Sequence, residues 1–244
     1  MARLNGVVIL AARTARSRAY LQTLAAAGLG ADVLIYGPAD MEQVTAATPR
    51  AKKSHYGDLL LPDFDRSLAE SAQGDDWRIS ECPETALDAP AILAAIAAFE
   101  PRLLVFSGYP AQRVPAALIA RWPVLHVHGG ALPDYRGSTT VYYSMLNNRR
   151  PEVTGILVDG EIDTGNVVDR RIFPMPPADI DIDYVYDSAM RADLLCHCLQ
   201  HWHTHGCLPD TQAQDGEGHS YYIIHPLLKR IALLGRHTLA GEKA

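Results

Sequence analysis

The chain has 244 residues and a formal net charge of -6, and 48% of its residues are hydrophobic while 20% are charged. These proportions are typical of an ordered, water-soluble protein with one large domain, or with one domain and a small appendage. The acidic balance argues against a basic surface for nucleic acid or for an anionic membrane, and it therefore favours small-molecule partners.

In the first half of the chain, buried strands alternate with helices. The apolar patterns predict strands at 6–12, 32–36, 102–106 and 124–128. Between these strands they predict helices at 17–27, 90–99 and 111–121. Strands and helices that alternate in this way predict a parallel, doubly wound sheet. Residues 41–77 have no sustained period and give no prediction.

The second half of the chain is less regular. It has a predicted helix at 139–147 and two predicted strands, 153–158 and 167–173, which flank a turn-rich segment like a hairpin. Three prolines follow, and then a long helical stretch at 182–202. After a loop-like segment, the pattern predicts a last short helix at 225–234.

Together these elements predict one α/β fold. Residues 1–175 would form a Rossmann-like, doubly wound domain with a mostly parallel sheet. Residues 176–244 would form a C-terminal helical extension packed on the same domain. In such a sheet, ligands bind in the crevice at the carboxyl ends of the strands.

The first β-α turn, AARTARSR, lacks the GxGxxG fingerprint, so a nicotinamide or flavin cofactor is not expected there. It instead places Arg13, Arg16 and Arg18 at the start of a helix, where the helix dipole disfavours cations. Solvated arginines and an anion-binding site explain this arrangement equally well.

The segment HVHGGALPDYRGS, residues 126–138, has an unusual pattern for a plain loop. Because side chains alternate along a strand, His126 and His128 lie on one face, and both imidazoles face the same crevice. The glycine pair 129–130 permits a sharp exit with close backbone approach, and Arg136 offers a planar fork of donors. A lone histidine at a strand end is more often structural, but two on one face beside a glycine pair favour a functional site.

Two other polar clusters have simpler explanations. In CHCLQHWHTHGC, residues 196–207, His197 and His201 are one helical turn apart, but no paired zinc-ligand spacing is present. We therefore expect a partly exposed amphipathic helix and no metal. In DGEIDTG, residues 159–165, three carboxylates lie in a turn, where such groups usually cap backbone donors.

HVHGGALPDYRG followed by GEIDTGNVV resembles the signature of the folate-dependent formyltransferases, which include methionyl-tRNA, glycinamide ribonucleotide and sugar N-formyltransferases. In that family a strand ends in Asn-x-His, an LPxxRG loop follows, and a D-T-G turn lies about one βαβ unit downstream. Here His128 occupies the histidine position, LPDYRG spans 132–137 and Asp163 leads the D-T-G. His126 stands where the family has asparagine.

The resemblance implies transfer of the formyl group of 10-formyltetrahydrofolate to a primary amine. His128 would donate to the negatively charged oxygen or act as acid and base, and Asp163 would orient its imidazole and raise its pKa. His126 would take the donor role of the asparagine, because a neutral imidazole still carries one N–H. The folate would contact two segments, namely Ser107, Gly108, Tyr109 and Pro110, and Val158, Asp159, Gly160, Glu161 and Ile162.

The expected acceptor is a small amine such as an amino sugar nucleotide. The chain is acidic and, after Gly206, too short for the further domain of tRNA-specific members. The candidate contacts to the acceptor are Arg13, Arg16, Arg18, Tyr135 and Arg136. Three alternatives stay open: a hydrolase that releases formate from the folate, a catalytically silent folate- or ligand-binding module, and a transferase of a different one-carbon or acyl unit. A homodimer is also left open.

Several features favour the cytoplasm. The apolar run at 7–12 is too short for a secretory signal, and no run approaches the length of a membrane span. The four cysteines include no CxxC pair, and a chain of this size does not need disulfides. We therefore expect a cytoplasmic protein that binds neither nucleic acid nor a membrane.

Overall fold

The computed structural model describes residues 2–42 and 53–238, and these residues form an α/β fold. The strands are β1 (Ala2–Ala12), β2 (Leu29–Tyr36), β3 (His55–Tyr56), β4 (Leu59–Leu60), β5 (Arg78–Cys82), β6 (Leu103–Ser107), β7 (Val124–His128), β8 (Tyr135–Gly137), β9 (Glu152–Leu157), β10 (Val167–Ile172) and β11 (His219–Tyr221). The α-helices are α1 (Ala15–Ala26), α2 (Leu68–Ser71), α3 (Pro90–Ala97), α4 (Ala116–Ile119), α5 (Thr140–Asn148), α6 (Asp187–His205) and α7 (Pro226–Thr238). A 3-10 turn spans Ala39–Glu42, and a π-helical turn, Ile182–Tyr186, runs directly into α6.

Seven strands form one sheet in the order β10-β9-β7-β6-β1-β2-β5. From β5 to β7 all neighbours pair in parallel, whereas β9 pairs antiparallel with both β7 and β10. The sheet is therefore the mostly parallel, Rossmann-like one that the alternating pattern predicts. The predicted hairpin is the β9-β10 pair at one edge.

The two faces of the sheet are covered by separate cores. Ile9 and Ala11 of β1 lie in the core that α1 and α6 cover, whereas Val8 and Leu10 lie in the core that α3 covers. This division follows from the two-residue period of a strand. Because β1 is buried on both faces, it reads as a continuous apolar run.

Three elements differ from the sequence predictions. The helix predicted at 111–121 is only α4, because Pro115 has no backbone N–H and disfavours a helical conformation in the residue before it. The stretch after Gly206, expected to be a loop, contains β11, which pairs in parallel with β8. The region at 41–77 contains β3, β4 and α2, and its residues 43–52 lie outside the described part of the chain.

None of the helices in the described ranges is both long enough and apolar enough to cross a membrane. A cavity of about 290 Å³ lies between α1 and α6, with Thr23, Asp193 and Gln200 in its lining. It opens beside the C-terminal end of α1 and does not include the histidines of β7, so it is separate from the site described next.

Candidate active site

The end of β7 brings two histidines to one face of the sheet. Leu125 and Val127 are fully buried in the core covered by α6. The ring of His126 instead packs at a tilt against Phe106, with ring centroids 5.7 Å apart. Strand alternation therefore places His126 and His128 together on the other face, as predicted.

His128 is fixed through its Nε2 atom. Nε2 lies 2.7 Å from the backbone oxygen of Tyr135 and 3.1 Å from the hydroxyl of Thr140. Because a carbonyl oxygen can only accept, the network assigns a proton to Nε2, and in the neutral ring Nδ1 has a lone pair. Nδ1 lies 3.4 Å from Oδ2 of Asp163. The two groups that the motifs relate are thus in contact, and His128 is only 3% exposed.

Asp163 reaches His128 from the loop between β9 and β10. Its backbone is left-handed, with φ at 56°, and its Oδ2 accepts a hydrogen bond of 2.8 Å from the backbone N–H of Gly137. The carboxylate is therefore held between the imidazole and the LPxxRG loop. Burial lowers the pKa of His128, and the opposing effect of Asp163 is smaller. Asp163 thus raises the pKa of His128, as expected, but burial leaves that pKa below its ordinary value.

His126 lies close to a backbone oxygen of the neighbouring strand β6. Its Nδ1 lies 3.4 Å from the backbone oxygen of Phe106. Burial, and then the positive charges of Arg16 and Arg191, lower the pKa of His126 well below its usual value. If Nδ1 is assigned as the donor to this oxygen, the neutral ring has its lone pair at Nε2.

Two charged residues of α6, Asp187 and Arg191, also lie close to the imidazoles. Arg191 donates from Nη1 to the backbone oxygen of Val127 at 2.9 Å, and its Nε lies 2.8 Å from Oδ2 of Asp187. The sequence analysis missed both residues. Their i, i+4 spacing indicates an ion pair, but no motif shows that the pair lies beneath β7.

Close approach explains the glycines of both motifs. A Cβ at Gly129 would lie 2.3 Å from Nη2 of Arg191, and in the D-T-G a Cβ at Gly165 would lie 1.8 Å from the backbone oxygen of Leu157. Gly165 therefore has no room for a side chain, whereas a side chain at Gly129 would have to displace those of Arg191 and Asp187.

Comparison with known proteins identifies relatives in sequence. The methionyl-tRNA formyltransferase of Trichlorobacter lovleyi is 33% identical over 146 residues, which are 58% of this chain and 44% of that protein. The methionyl-tRNA formyltransferase of Synechococcus sp. (strain JA-2-3B'a(2-13)) is 27% identical over 178 residues, 71% of this chain and 52% of that protein. The chain thus spans about half the length of the curated relatives it matches. No family model matches the sequence.

Solved structures show the same fold. A 4-N formyltransferase from Francisella tularensis aligns over 96% of this chain and 88% of its own, with a TM-score of 0.58 and 12% identity. A sugar N-formyltransferase from Shewanella sp. aligns over 94% and 87%, with a TM-score of 0.55 and 15% identity. HypX from Aquifex aeolicus aligns over 93% of this chain and 34% of its own, with a TM-score of 0.55 and 13% identity.

The chain is therefore similar in sequence to methionyl-tRNA formyltransferases over part of its length, and similar in fold to formyltransferases of known structure. The structural likeness, at these identities, concerns the formyltransferase fold. The roles of individual residues depend on the geometry of the site.

Arg13 and Arg18 do not have the arrangement expected of open anion contacts in this formyltransferase fold. Arg13 lies 2.6 Å from the carboxylate of Glu42 and 2.5 Å from that of Glu81, and Arg18 lies 3.5 Å from Glu42. These acidic side chains of the protein itself explain why cations are tolerated at the start of α1. Arg13 and Arg18 therefore form internal ion pairs.

The other three residues predicted to contact the amine acceptor have different surroundings in the structure. Arg136 donates to the backbone oxygen of Glu217 at 3.2 Å and to Oε1 of Gln214 at 3.0 Å, so it ties the LPxxRG loop to the C-terminal segment. Tyr135 is buried and fixes His128 through its backbone. Arg16 donates from Nε to the hydroxyl of Ser107 at 3.3 Å and lies beside the crevice.

The segments predicted to contact a folate flank β7. Ser107 ends β6 on one side, and the loop at 158–162 follows β9 on the other. The space around the α-carbon of Gly160 is open, Ile162 is 51% exposed, and the backbone oxygen of Gly160 accepts a hydrogen bond of 3.1 Å from Arg113. The loop thus presents an accessible backbone beside an exposed apolar side chain.

The histidines and cysteines at 196–207 are dispersed along α6 and the turn after it. The rings of His201 and His205 stack with centroids 4.1 Å apart, whereas Cys196 and Cys198 are buried in the core. Within the described residues, the geometry of a metal-ligand group is found elsewhere. One ligand atom from each of His126, His128 and Asp163 lies within 4.8 Å of the other two.

Proposed function

We propose that this chain transfers a formyl group from 10-formyltetrahydrofolate to a primary amine of a small molecule. The observation that carries the proposal is the buried contact, 3.4 Å long, between Nδ1 of His128 and Oδ2 of Asp163 in a formyltransferase fold. The folate, held by segments 107–110 and 158–162, would supply an activated formyl group.

His128 and Asp163 would move the proton that the amine loses. Because Nε2 is fixed on the Tyr135 carbonyl, the proton is exchanged at Nδ1, next to the carboxylate. The lowered pKa of His128 keeps the ring neutral and able to accept a proton. Asp163 would then stabilise the imidazolium that forms, and the imidazolium would return the proton to the tetrahydrofolate nitrogen that loses the formyl group.

His126 would position the attacking amine. Its acceptor nitrogen can take a hydrogen bond from an amine N–H, which orients the amine lone pair toward the formyl carbon. Arg191 and Arg16 supply positive charge near His126, and such charge stabilises negative charge that develops on the formyl oxygen.

The nature of the acceptor is proposed from charge. A net charge of -6 disfavours a tRNA, because binding of nucleic acid depends on neutralising phosphates with Lys and Arg. An amino sugar nucleotide carries only a diphosphate, for which Arg16 is a candidate partner.

A hydrolase is the second candidate, and His126 is the observation that favours it. An acceptor nitrogen orients a water molecule as readily as an amine, and attack by water would release formate.

The test incubates the protein with 10-formyltetrahydrofolate and with separate pools of amino sugars, nucleotide-linked amino sugars, amino acids and tRNA. Mass spectrometry then detects a product heavier by one formyl unit. We expect such a product in a small-amine pool. Consumption of the donor without any amine would support the hydrolase, folate binding without consumption would support the silent module, and formylated tRNA alone would overturn the small acceptor.

A further inference from the structure

We propose that His126, His128 and Asp163 form a binding site for a divalent transition-metal ion, and that Zn²⁺ is the ion their chemistry fits. Two imidazoles and one carboxylate are a common protein ligand set of zinc sites that keep an open position. The three ligand atoms already lie within 4.8 Å of one another. The binding itself does not depend on formyl transfer.

The distance between His128 and Asp163 fits two ligands of one ion. Nδ1 of His128 and Oδ2 of Asp163 are 3.4 Å apart. Two ligands that each lie about 2.1 Å from a tetrahedral zinc are separated by roughly 3.4 Å. A metal can therefore bind between these two atoms with little movement, and a ring nitrogen of His126, within 4.8 Å of both, would be the third ligand.

In each histidine, the ring nitrogen that would not bind the metal lies near a backbone oxygen, as it does in known metal sites. Nε2 of His128 lies 2.7 Å from the backbone oxygen of Tyr135, and Nδ1 of His126 lies 3.4 Å from that of Phe106. Ligating histidines usually donate their other N–H to a carbonyl or carboxylate, which fixes the tautomer and the ring orientation. Here the remaining ligand atoms, one nitrogen from each imidazole and a carboxylate oxygen, lie within 4.8 Å of one another.

The residue at position 126 determines whether the site has two or three metal ligands. The asparagine that the motif has at this position would leave one imidazole and one carboxylate, whereas His126 adds the third strong ligand. Three protein ligands leave a fourth position on the crevice side for water or for an oxygen of a bound molecule.

Charged side chains around the proposed site lower its affinity for a metal ion but do not prevent binding. Arg16 and Arg191 lie close enough to act on His126, and they oppose a cation. Asp187 pairs with Arg191 at 2.8 Å, and Asp163 contributes its own negative charge, so the four charged groups balance. If the proposed formyl transfer also holds, the ion competes with the proton for Nδ1 of His128, and zinc inhibits the transfer.

The experiment titrates the metal-free protein with Zn²⁺ by calorimetry and with Co²⁺ by visible absorption, in the absence of folate. The variants are His126→Asn and Asp163→Asn, both close in size to the native residue, and His201→Asn is the control for adventitious binding on α6. We expect one equivalent of metal to bind the native chain and the control, and a loss of more than about 100-fold in affinity in both site variants, because even loss of a supporting hydrogen bond costs 10–100-fold.

Circular dichroism and thermal unfolding establish that each variant is folded. The proposal is overturned by a native chain that binds no metal, by binding that survives His126→Asn, or by binding that is lost in His201→Asn. Because the readout uses metal alone, these results leave formyl transfer untouched, and a failed formyl assay leaves the metal site untouched.

Discussion

The chemistry of this molecule depends on which nitrogen of each imidazole carries a proton. In His128, Nε2 donates a hydrogen bond to the backbone carbonyl of Tyr135, and Nδ1 faces Asp163. In His126, Nδ1 lies beside the backbone carbonyl of Phe106, and a proton on Nδ1 makes Nε2 the acceptor. Two backbone carbonyls, which no sequence motif identifies, thus bear on which ring nitrogen carries the proton in each histidine.

Replacing Asp163 tests the proton-transfer role. Asp163→Asn keeps the size of the side chain but removes the charge that stabilises a protonated His128, so we expect kcat to fall by about 10²–10⁴-fold while folate binding persists. The measurement is kcat and the dissociation constant for the folate. Asp88→Asn, which changes an exposed carboxylate before α3, is the matched control and should leave both unchanged. A normal kcat for Asp163→Asn would refute the role.

The glycine of the D-T-G allows a matched stability test. Gly165→Ala would force a Cβ to within 1.8 Å of the Leu157 backbone oxygen, and we expect it to cost about 1–3 kcal/mol, as overpacking does. Gly160→Ala, in the same loop, has open space and should change the free energy of unfolding by less than about 0.5 kcal/mol. Denaturant unfolding measures both, and equal effects would show that the loop is not packed as described.

Among the elements, α6 connects the core to the site. Its Leu195 and Leu199 are fully buried, while its first turns place Asp187 and Arg191 beneath β7. The helix therefore both covers one face of the sheet and sets the charge beneath the imidazoles.

Breaking the Asp187–Arg191 pair should destabilise the fold. The two side chains are only 15% and 16% exposed, so Arg191→Met leaves a largely buried carboxylate without its partner, at a cost of about 3–5 kcal/mol. Adding Asp187→Leu removes that charge and should restore much of the loss. Chemical denaturation of the single and double variants measures this, and a double variant less stable than Arg191→Met would contradict it.

The cysteines near α6 should differ sharply in reactivity. Burial raises the pKa of Cys196 to about 11 and that of Cys198 to about 12, whereas Cys207 is exposed. Since the thiolate is the reactive form, a disulfide reagent at pH 8 should modify Cys207 in a fast phase and leave the two α6 thiols unmodified. The fast phase should vanish in Cys207→Ser, and its persistence there would place a reactive thiol elsewhere.

Across the whole molecule, the sequence predicts the strands that contain an apolar run, including β10 at one edge of the sheet, and misses β5 at the other edge. Strands such as β1 and β7, buried on both faces, appear as apolar runs and could be predicted. The edge strand β5 could not, because its residues, RISEC, are mostly exposed and lack an apolar pattern. Tertiary pairing, rather than local preference, makes it a strand.

The same limit applies to the site. The motifs relate His128 to Asp163, and the structure brings the two into contact. The motifs do not report the position of Arg191, because that position depends on how α6 packs on the sheet. Nor could they show that Glu42 and Glu81 pair with Arg13, since these acids come from separate segments of the chain.

The most direct test of the proposed activity follows an isotope-labelled formyl carbon by NMR in a mixture of protein, labelled 10-formyltetrahydrofolate and small amines. The account predicts that the label moves from the folate to a formamide, that this requires an amine, and that His128→Gln slows it at least about 100-fold. A label that stays on the folate, or that leaves as formate whether or not an amine is present, would contradict it.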